Sequence, residues 1–332
     1  MDRGLPDDNT VKAVLALAGR APSVHNVQPW RWRITDRGVH LYLDRQRALP
    51  ATDPDQRDLL LSCGAALHHL SVAFAATGWA TVVHRLPNPA DPDHLAAVTL
   101  VAHRPMDQEI AMSSAIRHRH TDRRHFTSWP IPPGCLGLLT ERAMALGAIV
   151  RPVDDADRVR LVDAARAAAR AHAADPAYRF ETAVWSGRHA SLDGVPARNT
   201  PAPRPGDELP ARTFAGAELA DPAHGEDHAE VLMLGTSSDD RISRLRAGEA
   251  MSAVLLTATN IGLATCALTE PLEISAQRDQ LRSAMLGGTS YPQVFIRVGW
   301  APTSNEPIAE TPRRPVEDVL LGAEADGRSG AR

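Results

Sequence analysis

Cysteine, lysine and long apolar runs are scarce in this sequence. Its three cysteines, Cys63, Cys135 and Cys266, are odd in number, widely spaced and set among apolar residues. That pattern indicates neither a disulfide framework nor a zinc knuckle, and we read them as reduced packing residues. Lys12 is the sole lysine, so the 36 basic side chains are otherwise arginines. Against 40 acidic residues they leave a net charge of −4, which makes no electrostatic case for nucleic acid but leaves room for a local phosphate site. No run reaches the roughly 18 apolar residues of a membrane span, and Met1-Asp2-Arg3 opens no signal peptide. A cytoplasmic protein without a membrane partner is expected. The chain does have bulk: 332 residues with 43% hydrophobic content can bury a large core in about two domain-sized units.

Periodicity organises that bulk. Val11, Val14, Leu15 and Ala18 follow the spacing of one helix face, and Pro22 stops the helix. Residues 52–87 align with 236–271 at a constant offset of 184, with ten identities in 36 positions, among them Leu61/Leu245, Gly64/Gly248 and Gly78/Gly262. Ala-rich helices align easily, but the paired glycines closing both helices argue for an internal duplication. Each repeat reads as strand, polar loop and long buried helix: Val39–Leu43 before Leu59–Ala76, and Val231–Leu234 before Arg244–Ile261. Extended segments Trp79–Leu86 and Leu263–Leu268 follow, with later strands at Leu95–Ala102 and Val294–Trp300 and helices at Leu136–Leu146 and Arg158–His172. The mixture indicates an α+β fold with a central sheet in each half. Between Ser186 and Glu230 the periodicity fails among prolines and glycines, which fits either a linker or a functional lid that Trp185 and Phe214 could dock.

Four segments carry chemistry. Ala21–Trp30 ends its helix in small and polar residues that let backbone press against a flat ligand. Arg117–Phe126 alternates guanidinium and hydroxyl donors, a pattern suited to a phosphate monoester or to a solvated basic turn. Its histidines have no matching carboxylate set, so no metal site is expected. Ala267–Pro271 is a strand-end turn, and Thr311–Val319 is a basic segment with adjacent arginines. No Ser-His-Asp, Cys-His or paired-carboxylate arrangement and no Gly-x-Gly-x-x-Gly unit stands out.

Ala21-Pro22-Ser23-Val24-His25-Asn26-Val27-Gln28-Pro29-Trp30 resembles the Ala-Pro-Ser-x-x-Asn-x-Gln-Pro-Trp motif of FMN-dependent nitroreductases. Arg119-x-Thr121-x-Arg123 is similar to their Arg-x-Ser-x-Arg/Lys segment. The motif order, the richness in arginine and the segments Leu245–Pro271 and Tyr291–Pro302 resemble the mycobacterial Acg group over nearly the whole chain. The resemblance implies FMN as cofactor, with Pro22, Ser23, Val24, Asn26 and Gln28 beside it. It implies Arg119 and Thr121 at the phosphate and ribityl chain, and Arg123 at the pyrimidine edge. Thr269 and Glu270 would meet flavin N5 and O4, with the Glu270 N–H as donor because Pro271 has none. Arg313 or Arg314 would complete phosphate neutralisation.

The same resemblance implies two fused, degenerate nitroreductase-like halves, residues 1–110 and 111–332, the second with an inserted lid at about 186–230. Ordinary members build each site from two subunits, whereas here the motifs are divided between the halves. An intramolecular pseudo-dimer with one complete FMN site, working as a monomer, is therefore expected. The implied activity is flavin-mediated hydride or electron transfer from an unspecified donor to a nitro-compound or quinone-like acceptor. No catalytic side chain is implied, since the flavin carries the chemistry. An FMN-sequestering protein with little turnover is the alternative, and a structural protein without flavin a third reading.

Overall fold

A computed structural model describes residues 6–204, 206–222 and 225–322. Asp7 caps the first helix, α1 (Asp8–Ala18), by accepting from the Thr10 N–H, and Val11, Val14, Leu15 and Ala18 form its buried face. The chain then turns through Val24–Asn26 into β1 (Trp30–Thr35), whose Trp30 and Trp32 are wholly buried. β2 (Gly38–Leu43), α2 (Arg57–Ala76), β3 (Trp79–Arg85) and β4 (His94–Ala102) follow. The four strands form an antiparallel sheet in the order β1-β2-β4-β3.

A helix, α3 (Asp107–His118), leads to the second half. There α4 (Pro133–Met144) and β5 (Ile149–Pro152) precede two further helices, α5 (Asp155–Ala174) and α6 (Pro176–Val184). A short parallel pair, β6 (Ser186–Arg188) and β7 (Val195–Pro196), lies in the insertion. Next come β8 (Glu230–Thr236), α7 (Arg241–Asn260), β9 (Ala264–Leu268), α8 (Glu270–Glu273), α9 (Ser275–Leu286) and β10 (Tyr291–Gly299). The terminal turn is α10 (Val316–Val319). The second sheet runs β5-β8-β10-β9. Both sheets thus have one long helix between their second and third strands, and their fourth strand is placed between the second and third.

The two long helices, α2 and α7, cross at the centre of the molecule, and their glycines set the distance. A Cβ on Gly64 would lie 2.0 Å from Leu245 O, and one on Gly248 would lie 2.0 Å from Leu61 O. Gly64 and Gly248 are matched positions 184 residues apart, as are Leu61 and Leu245, and so are His68 and Ser252, whose Nδ1 and Oγ atoms meet at 2.8 Å. Reciprocal contacts of this kind are the pattern of a two-fold, isologous interface. The expectation about apolar runs needs a correction here. The stretch Arg57–Ala76 is long and apolar enough to cross a membrane by length and composition. It is buried on most faces because both halves pack against it, which is why its sequence carries so little polarity.

Several elements escaped the sequence reading. β1 was hidden behind the polar run that precedes it, although Trp30, Trp32 and Ile34 alternate with Arg31, Arg33 and Thr35. The short helices α6 and α9 and the polar α3 lack a wide apolar stripe. The insertion is not a free connector: Ser186, Val195, Ala197, Asn199 and Thr200 are buried. Gly194 N–H donates to Asn26 O at 3.3 Å, and Asn199 Nδ2 donates to Ala309 O and Thr311 Oγ1 at 2.9 and 2.8 Å.

The helix crossing yields a stability prediction. Gly64→Ala or Gly248→Ala forces a methyl group against backbone that cannot yield without separating the halves, at a cost of roughly 3 kcal/mol or more. Gly137→Ala in α4, where an added Cβ meets nothing within 4 Å, stabilises by up to about 1 kcal/mol through helix propensity. Urea unfolding of the three variants tests the contrast, and equal effects at Gly64 and Gly137 would remove the case for a tight crossing.

Candidate functional site

A cavity of about 1060 Å³ opens where the N-terminal part of α2, the end of β9 and the insertion converge. Asp58, Leu61 and Ser62 reach it from α2, Met251 from α7, and Cys266 to Glu270 from the β9–α8 turn. Pro22, Ser23 and Val24 bring backbone to the wall, held by Ser62 Oγ accepting from Val24 N–H at 3.3 Å and Ser23 Oγ accepting from Gln28 N–H at 3.0 Å. This short connection is strained: His25, Asn26 and Gln28 all have left-handed backbone, with φ of 47°, 54° and 52°. Non-glycine residues hold that conformation only where surrounding structure imposes it, and such residues gather at functional sites.

A smaller pocket of about 70 Å³ adjoins the cavity and shares Pro22, Ser23, His25, Thr121 and Arg123 with it. Its walls are cationic, with Arg20, Arg119 and Arg313 converging. Glu310 pairs with Arg20, but no described carboxylate pairs with Arg119 or Arg313. These two guanidiniums reach only backbone carbonyls: Arg119 Nη2 donates to Arg20 O at 3.4 Å, and Arg313 Nη1 to Thr311 O at 3.1 Å. The Nε atoms of all three arginines are buried without a partner. Burial, then repulsion from Arg20, pushes Arg119 down to about 10, and burial with repulsion from Arg119 and Arg20 pushes Arg313 down to about 9. Packing unpaired cations together costs several kcal/mol per ion unless an anion joins them, so the pocket fits a phosphate group. A phosphate there would sit beside the larger cavity, which has room for a flat group attached to it.

The insertion covers the cavity through matched charges. Arg212 donates to Tyr178 OH at 2.8 Å, meets His25 Nε2 at 2.9 Å and is ion-paired with Glu273. Thr269 Oγ1 also donates to Glu273, at 2.8 Å. Phe214 packs edge-on to His25, and the Arg123 guanidinium lies 5.1 Å over its ring. Farther out, Arg158–Glu208 at 2.7 Å and His125–Asp207 at 3.1 Å tie the insertion down. The acids beneath are perturbed. Burial pushes Glu273 up to about 7 against the pull of Arg212, and burial with the neighbouring Asp58 charge pushes Asp53 up to about 8.

Of the sequence-derived site residues, Pro22, Ser23, Val24, Thr121, Arg123, Thr269 and Glu270 line the cavity, and Asn26, Arg119 and Arg313 line the pocket. Two turn elsewhere. Gln28 is buried with Nε2 donating to Leu192 O at 2.9 Å and Oε1 accepting from Arg314 N–H at 2.9 Å, which makes it a clamp between segments. The Arg314 side chain reaches Asp318 O at 2.7 Å, so Arg313 is the arginine of the pair that faces the pocket. Glu270 begins α8, so its N–H lies outside the helix ladder, while Pro271 contributes none. His25, Asp58, Arg212 and Glu273 were missed, because nothing in their spacing distinguishes them from ordinary polar positions. No described group of three or more His, Cys, Asp or Glu side chains could hold a metal ion.

The chain thus combines an α+β fold with a cation-lined pocket that opens into a large cavity. No family model matches the chain. It is 46% identical over 323 residues, covering 96% of this chain and 93% of the relative, to the Mycobacterium tuberculosis protein named "Putative NAD(P)H nitroreductase Rv3131". It is 39% identical over 316 residues, 94% of this chain and 95% of the relative, to "Putative NAD(P)H nitroreductase acg" of the same organism. The chain belongs to this Acg group of nitroreductase-like proteins. Among solved structures, the FMN-dependent nitroreductase NfnB from Mycobacterium smegmatis in complex with NADPH aligns at a TM-score of 0.40 and 17% identity, over 66% of this chain and 100% of that one. A nitroreductase with bound FMN from Bacteroides fragilis aligns at 0.38 and 12%, over 67% and 98%. Superpositions this loose add no weight to the sequence relationship.

The raised acids set a pH dependence. Because Asp53 and Glu273 hold protons in the native state up to about 8 and 7, but lose them near 4 when unfolded, the native state binds more protons over that interval. Their stabilising contribution is therefore full below pH 4 and is lost as pH rises through 7 to 8. Asp53→Asn, which carries no such proton, flattens this slope in urea unfolding between pH 5 and 8; a variant slope equal to that of the parent would mean Asp53 is charged in the native protein.

Proposed function

We propose that the chain is an FMN-dependent oxidoreductase that passes a hydride or electron pair to a nitro-compound or quinone-like acceptor. The unmatched Arg119–Arg313 pair beside a large cavity carries this reading, and the names of the Acg relatives agree with it. Arg119, Thr121 and Arg313 would hold the phosphate, Pro22 to Val24 the ring face, and Arg123 the pyrimidine edge, where its charge favours an anionic reduced ring. Bound FMN would supply the redox chemistry; the protein supplies position, charge and exclusion of water. The docked insertion favours the second reading, a protein that holds FMN with little turnover, since Arg212 and Phe214 close over the same cavity.

We further propose a single FMN site and a monomeric working unit. In the first half eleven residues, 19–29, join α1 to β1 and carry the ring-facing motif; only four, 145–148, join α4 to β5. At the position matching Thr269 the first half has Arg85, tied to the buried Glu249 at 2.6 and 2.7 Å. The counterpart site has neither its wall nor its free turn.

Arg119→Ala weakens FMN binding by roughly 1.5–3 kcal/mol, the scale of a hydrogen bond to a charged group, and leaves riboflavin affinity nearly unchanged. Fluorescence titration with both ligands checks this, and equal losses for both would remove Arg119 from the phosphate. Stopped-flow absorbance of the FMN-loaded protein with NADH, NADPH and then a nitroarene separates the two readings, rapid bleaching marking an enzyme and persistent colour a holding protein.

A further inference from the structure

His25 occupies a position that the motif leaves open, and its ring meets the Arg212 and Phe214 side chains of the insertion. It lines both the large cavity and the phosphate pocket, although the side chain is almost wholly buried. Its Nε2 lies 2.9 Å from Arg212 Nη1. A guanidinium only donates, so Nε2 must accept, and the single proton of a neutral imidazole then sits on Nδ1. Nδ1 is buried and has no hydrogen-bond partner among the described residues. The charged and titratable groups facing the ring are Arg212, Arg123 and His172, which with burial hold the imidazole neutral.

We propose that His25 is a positioning residue that presents one fixed Nδ1–H donor to an oxygen of the bound FMN, in a tautomer selected by Arg212 of the docked insertion. The inference rests on the FMN reading above and adds a residue to it. Three features support it independently of the motif. A buried unpaired N–H is costly unless a ligand accepts from it. The left-handed φ of 47° spends backbone strain to aim the ring at the junction of the two spaces. Arg212 is itself fixed by Glu273 and Tyr178, so the tautomer is preset before any ligand arrives. Insertion docking and cofactor binding are consequently coupled, each strengthening the other by the same factor.

The test uses the full chain, with FMN titration and long-range proton–nitrogen NMR of labelled histidine. Asn and Gly both tolerate left-handed backbone, but only Asn carries an N–H near the Nδ1 position. His25→Gly weakens FMN by about five- to tenfold, His25→Asn recovers most of that loss, and wild-type His25 reports a neutral Nδ1–H ring. Arg212→Gln shifts the ring toward a tautomer mixture and adds no further loss to His25→Gly. An Nε2–H or doubly protonated ring in the wild type, or unchanged FMN affinity in His25→Gly, would overturn the assignment while leaving the FMN reading intact. A wild-type chain with no affinity for FMN would instead bring down the functional reading and the flavin role of His25 with it.

Discussion

The close crossing of α2 and α7 is the constraint on which the rest of the structure depends. Gly64 and Gly248 let backbone meet backbone, and the Leu61 and Leu245 carbonyls fill the space that side chains would take. The contact is reciprocal and the two sheets share one strand order, yet the loops added to each half differ. Asp58, Leu61 and Ser62 of α2 and Met251 of α7 face the same cavity only because the helices are this near. A wider crossing would separate the Pro22–Val24 wall, which belongs to the first half, from the β9–α8 turn and the Arg119 segment, which belong to the second.

Charge matching separates framework from site. Several buried arginines are ion-paired: Arg57 with Asp239, Arg85 with Glu249, Arg212 with Glu273 and Arg297 with Asp227. Arg119 and Arg313 converge on one pocket with no ion pair to a described acid. Ion pairs elsewhere position segments of the chain, whereas this pair of cations is left without a carboxylate partner among the described residues.

The fold was legible where one pattern controlled a whole segment. The 184-residue offset located α2, α7 and the strands after them, and the α1 face followed from four apolar positions. Segments whose order comes from tertiary contacts were not legible: α6 is positioned by Glu181 accepting from Ala51 and Thr52 N–H, a link across 130 residues that leaves no local mark. In the candidate site, the alternation of Arg119, Thr121 and Arg123 picked out three residues that line the small cationic pocket. The choice between Arg313 and Arg314 needed the structure, because it turns on which side chain meets Asp318 O. Arg212 and His25 were invisible for a similar reason, their pairing joining residues 187 positions apart.

The central claim is that two halves of one chain, held by the α2–α7 crossing, form a single complete cofactor site. Light scattering combined with flavin, phosphorus and protein quantification of the FMN-saturated protein tests it most directly. The account predicts a monomer carrying one FMN; two FMN per chain, or a dimer whose separated subunits release the cofactor, would contradict it.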